Sequence, residues 1–208
     1  MARLIVGISG ASAPHFGVAL LRALRDLEDI ETHLVISPSA HRTIGLELGT
    51  TTREVERLAD VVYAPDDVAA PISSGSFQTI GMAIAPCSVR TLAAIATGNT
   101  TDLLTRAADV SLKERRRLVL AVREPPLNLV HIRNMEAATL AGAVVLPPVP
   151  AFYHRPETID DLLHHSAGKI LDQFGIETDL LSRWQGLREE LHRKTGDQAH
   201  GSTTDSSL

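Results

Sequence analysis

The sequence predicts an α/β fold, a three-layer sandwich in which a mainly parallel β-sheet lies between two layers of helices. Short apolar runs alternate along the chain with stretches of helical periodicity, which is typical of parallel sheets covered on both faces. The 208 residues are 44% hydrophobic but only 3% aromatic, and this aliphatic composition suits buried parallel strands. We expect a single α/β domain over residues 1–192.

The elements follow from the period of the apolar residues. Apolar runs place strands at 3–8, 32–36, 80–85, 117–122 and 143–146. Helical periodicity predicts helices at 15–28, 39–48, 88–97, 101–114, 127–141 and 159–174. The last helix starts with a capping pattern at Thr158 and Asp161 and ends at Gly175. Residues 193–208 are polar and rich in Ser, Thr and Gly, so we expect a disordered tail.

Charge and composition exclude several classes of function. The net charge of −5 argues against a general nucleic-acid-binding protein, whose surface would be basic. The single cysteine, Cys87, excludes an internal disulfide framework and a cysteine-based zinc site, and no paired-histidine zinc motif occurs. No apolar run reaches the roughly 20 residues that span a bilayer. We therefore expect a cytoplasmic protein with no membrane partner and no metal.

The first strand ends in a turn that suits a phosphate group. Ser9, Gly10, Ala11 and Ser12 combine hydroxyl donors with a glycine that lets the backbone approach a ligand. The next helix adds free N–H groups and the positive end of its dipole. The turn lacks both the dinucleotide glycine spacing and the P-loop lysine. A tight strand-to-helix connection without a ligand is the alternative.

Further polar residues follow other predicted strands, and open α/β sheets bind ligands at these strand ends. The strand at 80–85 leads into the turn Ser88, Val89, Arg90 and Thr91. The strand at 117–122 ends in Arg123 and Glu124, and Pro125 biases Glu124 towards an extended backbone. An ion pair between Arg123 and Glu124 at the sheet edge is the alternative.

Two cations of the predicted helix 101–114 share one helix face. Arg106 and Lys113 are seven residues apart and therefore project within about 20° of each other. A guanidinium grips phosphate at two points, and an ammonium neutralises charge on a leaving group. The alternative is a solvated face on which Asp102 pairs with Arg106.

The chain resembles the UbiX-type flavin prenyltransferases over nearly its whole predicted domain. The resemblance rests on ordered blocks at consistent spacing: Gly10 to Ser12, Ala85 to Ser88, Thr91 to Gly98, Arg106 to Val110, Leu112 to Arg116, Arg123 to Pro125 and Pro150 to Pro156. It implies a flavodoxin-like or Rossmann-like fold. It also implies transfer of a dimethylallyl group from dimethylallyl phosphate to N5 and C6 of reduced FMN, without a metal. The prenylated FMN would serve a UbiD-type decarboxylase.

The resemblance also assigns residues to this chemistry. It implies that FMN is bound by Ser9, Gly10, Ala11, Ser12, Ser37, Ser88, Val89, Arg90, Thr91 and Arg123. The prenyl phosphate falls to Arg106, Lys113, Glu124, Tyr153 and Lys169, with Glu47 and Trp184 as secondary candidates. Among these, Glu124, Ser12, Lys113 and Arg106 are the expected catalytic residues. Members of this family form homododecamers with sites at subunit junctions, so a homo-oligomer is expected.

Two positions depart from the family pattern. Ala13 and Pro14 stand where the family commonly has Gly-Ala, and alanine resists the positive φ that glycine accepts. Lys169 stands where the family usually has arginine, which keeps the charge but loses the planar two-point grip on phosphate. Neither change removes a reacting group.

Two other functions remain open from the sequence. An FMN-dependent cysteine-type decarboxylase of the same superfamily would share the flavin loops, but this chain lacks the Pro-Ala-Ser-Ala-Asn-Thr-like block typical of those enzymes. A non-catalytic flavin carrier would not need Glu124, Lys113 and Tyr153, which are all present.

Overall fold

The computed structural model describes residues 1–181 and 183, and these residues form one sheet with helices on both faces. The strands are β1 Ala2–Ile8, β2 Ile30–Ile36, β3 Val61–Tyr63, β4 Gly81–Cys87, β5 Arg117–Val122 and β6 Val144–Val145. The α-helices are α1 His15–Arg25, α2 Pro38–Thr43, α3 Thr52–Glu56, α4 Val89–Ala96, α5 Leu103–Lys113, α6 Leu129–Leu140 and α7 Ile159–Asp172. None of these helices is long and apolar enough to cross a membrane.

The sheet has the strand order β3-β2-β1-β4-β5-β6, and every pairing among the described residues is parallel. This is the doubly wound order. The chain adds β2 and β3 on one side of β1 and then returns to add β4, β5 and β6 on the other side, so the switch point lies between β1 and β4. The loops after β1 and β4 therefore diverge at this switch point and leave a crevice at the carboxyl edge. The predicted α/β fold is confirmed, and the sheet places the first predicted phosphate turn at the switch point.

Two apolar cores cover the two faces of the sheet. On one face, α1 and α7 pack together over β1 through Leu20, Leu21 and Leu171. On the other face, α4, α5 and α6 cover the strands through residues such as Leu92 and Leu104. Because the central strands are buried on both faces, they read as continuous apolar runs.

The structure differs from the predicted elements between residues 38 and 63. The predicted helix 39–48 is the short helix α2 followed by a π-helical turn, Ile44–Leu48, which ends at Gly49 with φ of 62°. Helix α3 and strand β3 were not predicted. β3 is an edge strand of three residues, too short to display a period of two, and tertiary pairing with β2 determines it.

The predicted bounds elsewhere agree with the structure to within a few residues, and β6 is shorter than predicted. The expected disordered tail at 193–208 lies outside the described residues.

A histidine is buried within the sheet on β2. His33 Nδ1 lies 2.9 Å from the Tyr63 hydroxyl, and His33 Nε2 lies 3.5 Å from a carboxylate oxygen of Glu31. Glu31 also accepts a hydrogen bond of 2.9 Å from Arg3. Burial is the main cause that lowers the pKa of His33, and Glu31 opposes it in part. His33 therefore favours the neutral form in the folded protein.

Folding stability should consequently fall at acidic pH. Below the ordinary histidine pKa of about 6.5 the unfolded chain binds a proton that folded His33 does not, so stability decreases as pH falls from there towards the lowered pKa. We expect the melting temperature of wild-type protein to drop more steeply between pH 7.5 and pH 5 than that of His33→Gln. Scanning calorimetry of both proteins measures the two slopes, and parallel slopes would contradict this assignment.

Candidate functional site

Ser9 joins the two loops that border the switch-point crevice. Its buried hydroxyl donates to the Pro86 carbonyl at 3.0 Å and accepts from the Ser88 N–H at 2.7 Å. The Ser9 N–H also donates to the Pro86 carbonyl at 3.1 Å. Both capacities of this hydroxyl are thus used within the protein, so Ser9 fixes the relative position of the loops after β1 and β4.

The loops after β1 and β2 pack closely at Gly10. A Cβ at this position would collide with the side chain of Ser39. Ser37 caps α2, accepting from the Ala40 N–H at 3.3 Å, and its hydroxyl lies 3.2 Å from that of Ser39. Gly10 therefore allows a close approach of backbone and hydroxyl groups at the crevice, beside the buried Ala11.

The exposed end of the first turn presents two hydrogen-bond donors to one carboxylate. The Ser12 hydroxyl donates to Glu47 Oε2 at 3.1 Å, and the Ala13 N–H donates to the same oxygen at 2.7 Å. Glu47 reaches them from the π-helical turn. An oxyanion already accepts from this pair of donors, so the turn has the chemistry to bind an anionic group.

Ala13 adopts the conformation for which glycine is suited. Its φ is 66°, in the left-handed region, where a side chain costs about 1 kcal/mol relative to glycine. The replacement seen in the sequence therefore leaves the turn in a strained backbone conformation. Pro14 follows it at the N-cap of α1.

The second predicted turn is also a helix cap. Ser88 caps α4 by accepting from the Thr91 N–H at 3.2 Å, and its hydroxyl donates to the Thr91 hydroxyl at 3.0 Å. Val89 and Arg90 form the first turn of this helix, with Arg90 exposed. Two helix N-termini, those of α1 and α4, thus flank the crevice and favour negative charge there.

The end of β5 lies beside this second turn. The Arg123 N–H donates to the Cys87 carbonyl at 3.0 Å, which brings the half-buried Arg123 next to Ser88. Glu124 follows as an exposed residue at the same edge. Burial raises the pKa of the Cys87 thiol, so Cys87 is a core residue rather than a thiolate.

A separate cavity of about 600 Å³ contains two of the predicted phosphate-binding residues. Tyr153 and Lys169 line it together with His165 and Arg183, which the sequence analysis did not select. Asp172 accepts from Lys169 at 3.3 Å and from Arg183 at 2.7 Å. The two cations that line the cavity therefore share the Asp172 carboxylate.

The two missed residues differ in how they could have been found. His165 lies four residues before Lys169, so the two share one face of α7, and this spacing was available in the sequence. Arg183 reaches the cavity from a segment beyond α7, so only the tertiary structure brings it there.

Arg106 and Lys113 do not join the crevice within one chain. Arg106 pairs with Asp109 at 2.8 Å and donates to the Ser73 carbonyl at 3.2 Å, while Asp102 caps α5 instead of pairing with Arg106. Lys113 pairs with Glu114 at the end of α5. This end adjoins the start of β5, and Arg123 is about 20 Å further along that strand. Lys113 cannot span this distance.

The described residues contain no group of three or more His, Cys, Asp or Glu side chains that could hold a metal ion. Trp184, a secondary candidate from the sequence, lies outside the residues that the structure describes.

Comparison with known proteins identifies the family. A flavoprotein family profile matches residues 1–170. Flavin prenyltransferase UbiX of Escherichia coli (strain K12) is 58% identical over 188 residues, which cover 89% of this chain and the whole of the relative. The chain belongs to the UbiX flavin prenyltransferase family.

Two solved structures of UbiX proteins share this fold closely. AnUbiX (PadA1), described in complex with FMN and dimethylallyl pyrophosphate, has a TM-score of 0.87 at 50% identity and covers 89% of this chain and 98% of its own. The dodecameric FMN-dependent UbiX-like decarboxylase from Escherichia coli O157:H7 has a TM-score of 0.86 at 52% identity, over 88% of this chain and all of its own.

In this UbiX family member, Ser9 and Ser12 should respond differently to truncation. Ser9→Ala removes the hydroxyl between the two loops and leaves the buried Ser88 N–H without its acceptor, which should destabilise the protein by about 2 kcal/mol. Ser12→Ala changes an exposed hydroxyl and should alter stability by less than about 0.5 kcal/mol. Urea unfolding of the two variants makes the comparison. Equal losses would show that Ser9 does not hold the loops together.

Proposed function

We propose that this protein transfers a dimethylallyl group from dimethylallyl phosphate to reduced FMN, forming bonds to flavin N5 and C6. The observation that carries the proposal is 58% identity with a flavin prenyltransferase over that enzyme's whole length, combined with an anion-binding crevice at the switch point. Reduced FMN supplies the nucleophilic atoms of the reaction. The chain supplies the binding groups, the stabilisation of the leaving phosphate and the proton transfer.

The crevice is the proposed site for FMN. Gly10, Ala11 and Ser12 offer the phosphate a close backbone approach and a hydroxyl donor, and the Ser12 hydroxyl and the Ala13 N–H already donate to the Glu47 carboxylate. Ser9 preserves the geometry rather than donating to the ligand, since its hydroxyl is already engaged. The remaining proposed contacts are Ser37, Ser88, Val89, Arg90, Thr91 and Arg123.

The cavity beside α7 is the proposed site for the prenyl phosphate. Tyr153 can donate its hydroxyl proton to a phosphate oxygen, and the Lys169 ammonium can offset the charge that grows as the C–O bond breaks. Lysine at position 169 lacks the planar grip of arginine, but Arg183 brings a guanidinium to the same cavity. Glu124 is the proposed group that moves a proton between flavin and leaving phosphate.

Arg106 and Lys113 are proposed to serve the site of a neighbouring subunit. Lys113 is too far from Arg123 of its own chain, yet it lies half-exposed beside Gly75. A related protein is described as dodecameric. Helix α6 also exposes Leu129, Val130 and Ile132, an apolar surface that suits burial between copies. A homo-oligomer, proposed here as a dodecamer, would bring the two cations to an adjacent crevice.

The alternative functions fit less well. A cysteine-type decarboxylase would share the flavin crevice but has no use for a cavity lined by Tyr153, Lys169 and Arg183. A passive flavin carrier would likewise not need a phosphate-binding cavity. We also propose that residues 1–192 act as one flavin-binding domain and that the product serves a UbiD-type decarboxylase. A cytoplasmic location is proposed because reduced FMN and the free thiol of Cys87 suit a reducing compartment.

The direct test is to incubate purified protein anaerobically with reduced FMN and dimethylallyl phosphate and to analyse the flavin by mass spectrometry. We expect the flavin mass to increase by one dimethylallyl group minus one hydrogen, and the flavin spectrum to change. Parallel reactions with the diphosphate compare the two donors. Recovery of unmodified FMN from protein that binds both ligands would contradict the proposed function.

A mixing experiment tests the shared site. Glu124→Gln keeps the shape of the side chain but removes the base, and should lower turnover at least ~100-fold with little change in FMN affinity. Lys113→Ala should lose roughly tenfold or more in turnover or donor affinity. If the two residues come from different subunits, oligomers reassembled from both variants should regain about a quarter of wild-type activity at equal mixing. No recovery above the separate variants would place both residues in one subunit.

A further inference from the structure

A histidine contacts the hydroxyl that is proposed to hold the prenyl phosphate. His165 lies on α7 and is 9% exposed, and its Nε2 is 3.4 Å from the Tyr153 hydroxyl oxygen. The two rings meet edge to face, with centroids 5.5 Å apart. Both side chains border the cavity, Tyr153 being partly exposed and His165 buried behind it.

A second histidine, His154, packs against the ring of His165. The ring of His154 stacks on that of His165, with centroids 4.3 Å apart and planes inclined by 5°. Among the described residues, neither ring nitrogen of His154 and not the Nδ1 of His165 has a hydrogen-bond partner, although all three are buried. The parallel stacking prevents the nitrogens from converging on a metal ion. Within the described part of the chain, His165 Nε2 has the Tyr153 hydroxyl as its hydrogen-bond partner.

The charged and titratable groups around His165 come from several segments of the chain. His154 comes from the segment after β6, Lys169 lies one turn further along α7, and Arg183 lies across the cavity. Asp172 is engaged with Lys169 and Arg183. Burial, His154 and Lys169 together lower the pKa of His165. Helix α1 packs on α7 from the opposite side, where Arg22 lines a cavity with His164.

We propose that His165 is a positioning residue that directs the proton of the Tyr153 hydroxyl, and thereby determines whether Tyr153 donates to a phosphate in the cavity. This inference rests on the proposed binding of the prenyl phosphate beside Tyr153 and Lys169. When His165 Nε2 accepts, the tyrosine proton points at the imidazole. When Nε2 carries a hydrogen, Tyr153 accepts from it and can donate its own proton to phosphate.

An anion in the cavity selects the second arrangement. Burial, together with the nearby His154 and Lys169, favours the neutral form of His165 when no anion is bound. A phosphate dianion near Lys169 and Arg183 reverses the local charge and favours a hydrogen, or a positive charge, on His165 Nε2. Binding of the phosphate and the orientation of the Tyr153 proton are thus coupled through one imidazole.

The test measures donor binding separately from turnover. Oxidised FMN cannot accept the prenyl group, so calorimetry of dimethylallyl phosphate binding to the full-length, FMN-loaded protein reports affinity alone. The proteins are wild type, His165→Phe, Tyr153→Phe and the double variant, measured at pH 5.5 and pH 8. His165→Phe retains an aromatic ring for stacking on His154. His164→Gln is the matched control, because the adjacent side chain projects about 100° away on the helix.

We expect His165→Phe to weaken donor binding about 3- to 10-fold in the wild-type background and less than about 2-fold when Tyr153 is already phenylalanine, as for the loss of one hydrogen bond. The ratio of wild-type to His165→Phe affinity should be larger at pH 5.5 than at pH 8. His165→Gln should restore part of the affinity at pH 8 without this pH dependence, and His164→Gln should change little. FMN affinity and melting temperature should remain near the wild-type values.

Three results would overturn the inference. Equal losses from His165→Phe with and without the Tyr153 hydroxyl would show that the histidine acts independently of Tyr153. A wild-type to variant ratio that is constant with pH would show that protonation of His165 is not involved. If wild-type protein still transfers the prenyl group, either of these two results leaves the proposed function intact. The third result, absence of donor binding in wild type, would reject both the role of His165 and the proposed function.

Discussion

The arrangement of the site depends on one buried hydroxyl. Ser9 accepts from the Ser88 N–H and donates to the Pro86 carbonyl, so the loops that diverge at the switch point are tied together behind the crevice. Parallel strands alone would leave these loops free to separate, because each turns away towards a different face of the sheet. With the loops joined, the caps of α1 and α4 stay side by side. The turn at Ser12 and the turn at Ser88 are consequently held together at the proposed anion-binding crevice.

The strained residue Ala13 also makes a hydrogen bond in the same region. Its N–H donates to Glu47, while its φ lies in the left-handed region that alanine resists. The short hydrogen bond to the carboxylate, together with the close packing of Gly10 on the α2 loop, offsets that cost. The backbone strain at Ala13 and the contacts that compensate for it thus lie within the same few residues.

The groups proposed to act in this flavin prenyltransferase family member occupy three places in one chain. The switch-point crevice and the cavity beside α7 both lie near the carboxyl edge of the sheet, whereas Lys113 lies at the amino edge. The length of β5 makes this separation unavoidable, because α5 runs back across the sheet before that strand begins. The proposed assembly with further copies would overcome this separation without any change in the fold, and the exposed apolar surface of α6 is the interface proposed for it.

Local signals determined much of what could be known before the structure. The apolar runs, the helical periodicity and the capping pattern at Thr158 identified the principal strands and helices. The polar turns at Ser9 to Ser12 and Ser88 to Thr91 stand at strand ends, which parallel topology brings to one edge. These features depend on neighbours in sequence or on a general rule of topology, so the sequence alone was sufficient for them.

Tertiary structure decided which of these residues meet. The sequence could not distinguish Ser9 from Ser12, because both are serines in one turn. The Ser9 hydroxyl forms hydrogen bonds between two loops, whereas the Ser12 hydroxyl donates to the Glu47 carboxylate. The sequence placed Arg106 and Lys113 on one helix face. It could not show that Lys113 lies at the opposite end of β5 from Arg123. It also missed Arg183 and the contact of His165 with Tyr153, since these pairs are joined only by packing of distant segments. Periodicity reports the face of an element, whereas hydrogen-bond partners depend on the three-dimensional approach of whole elements.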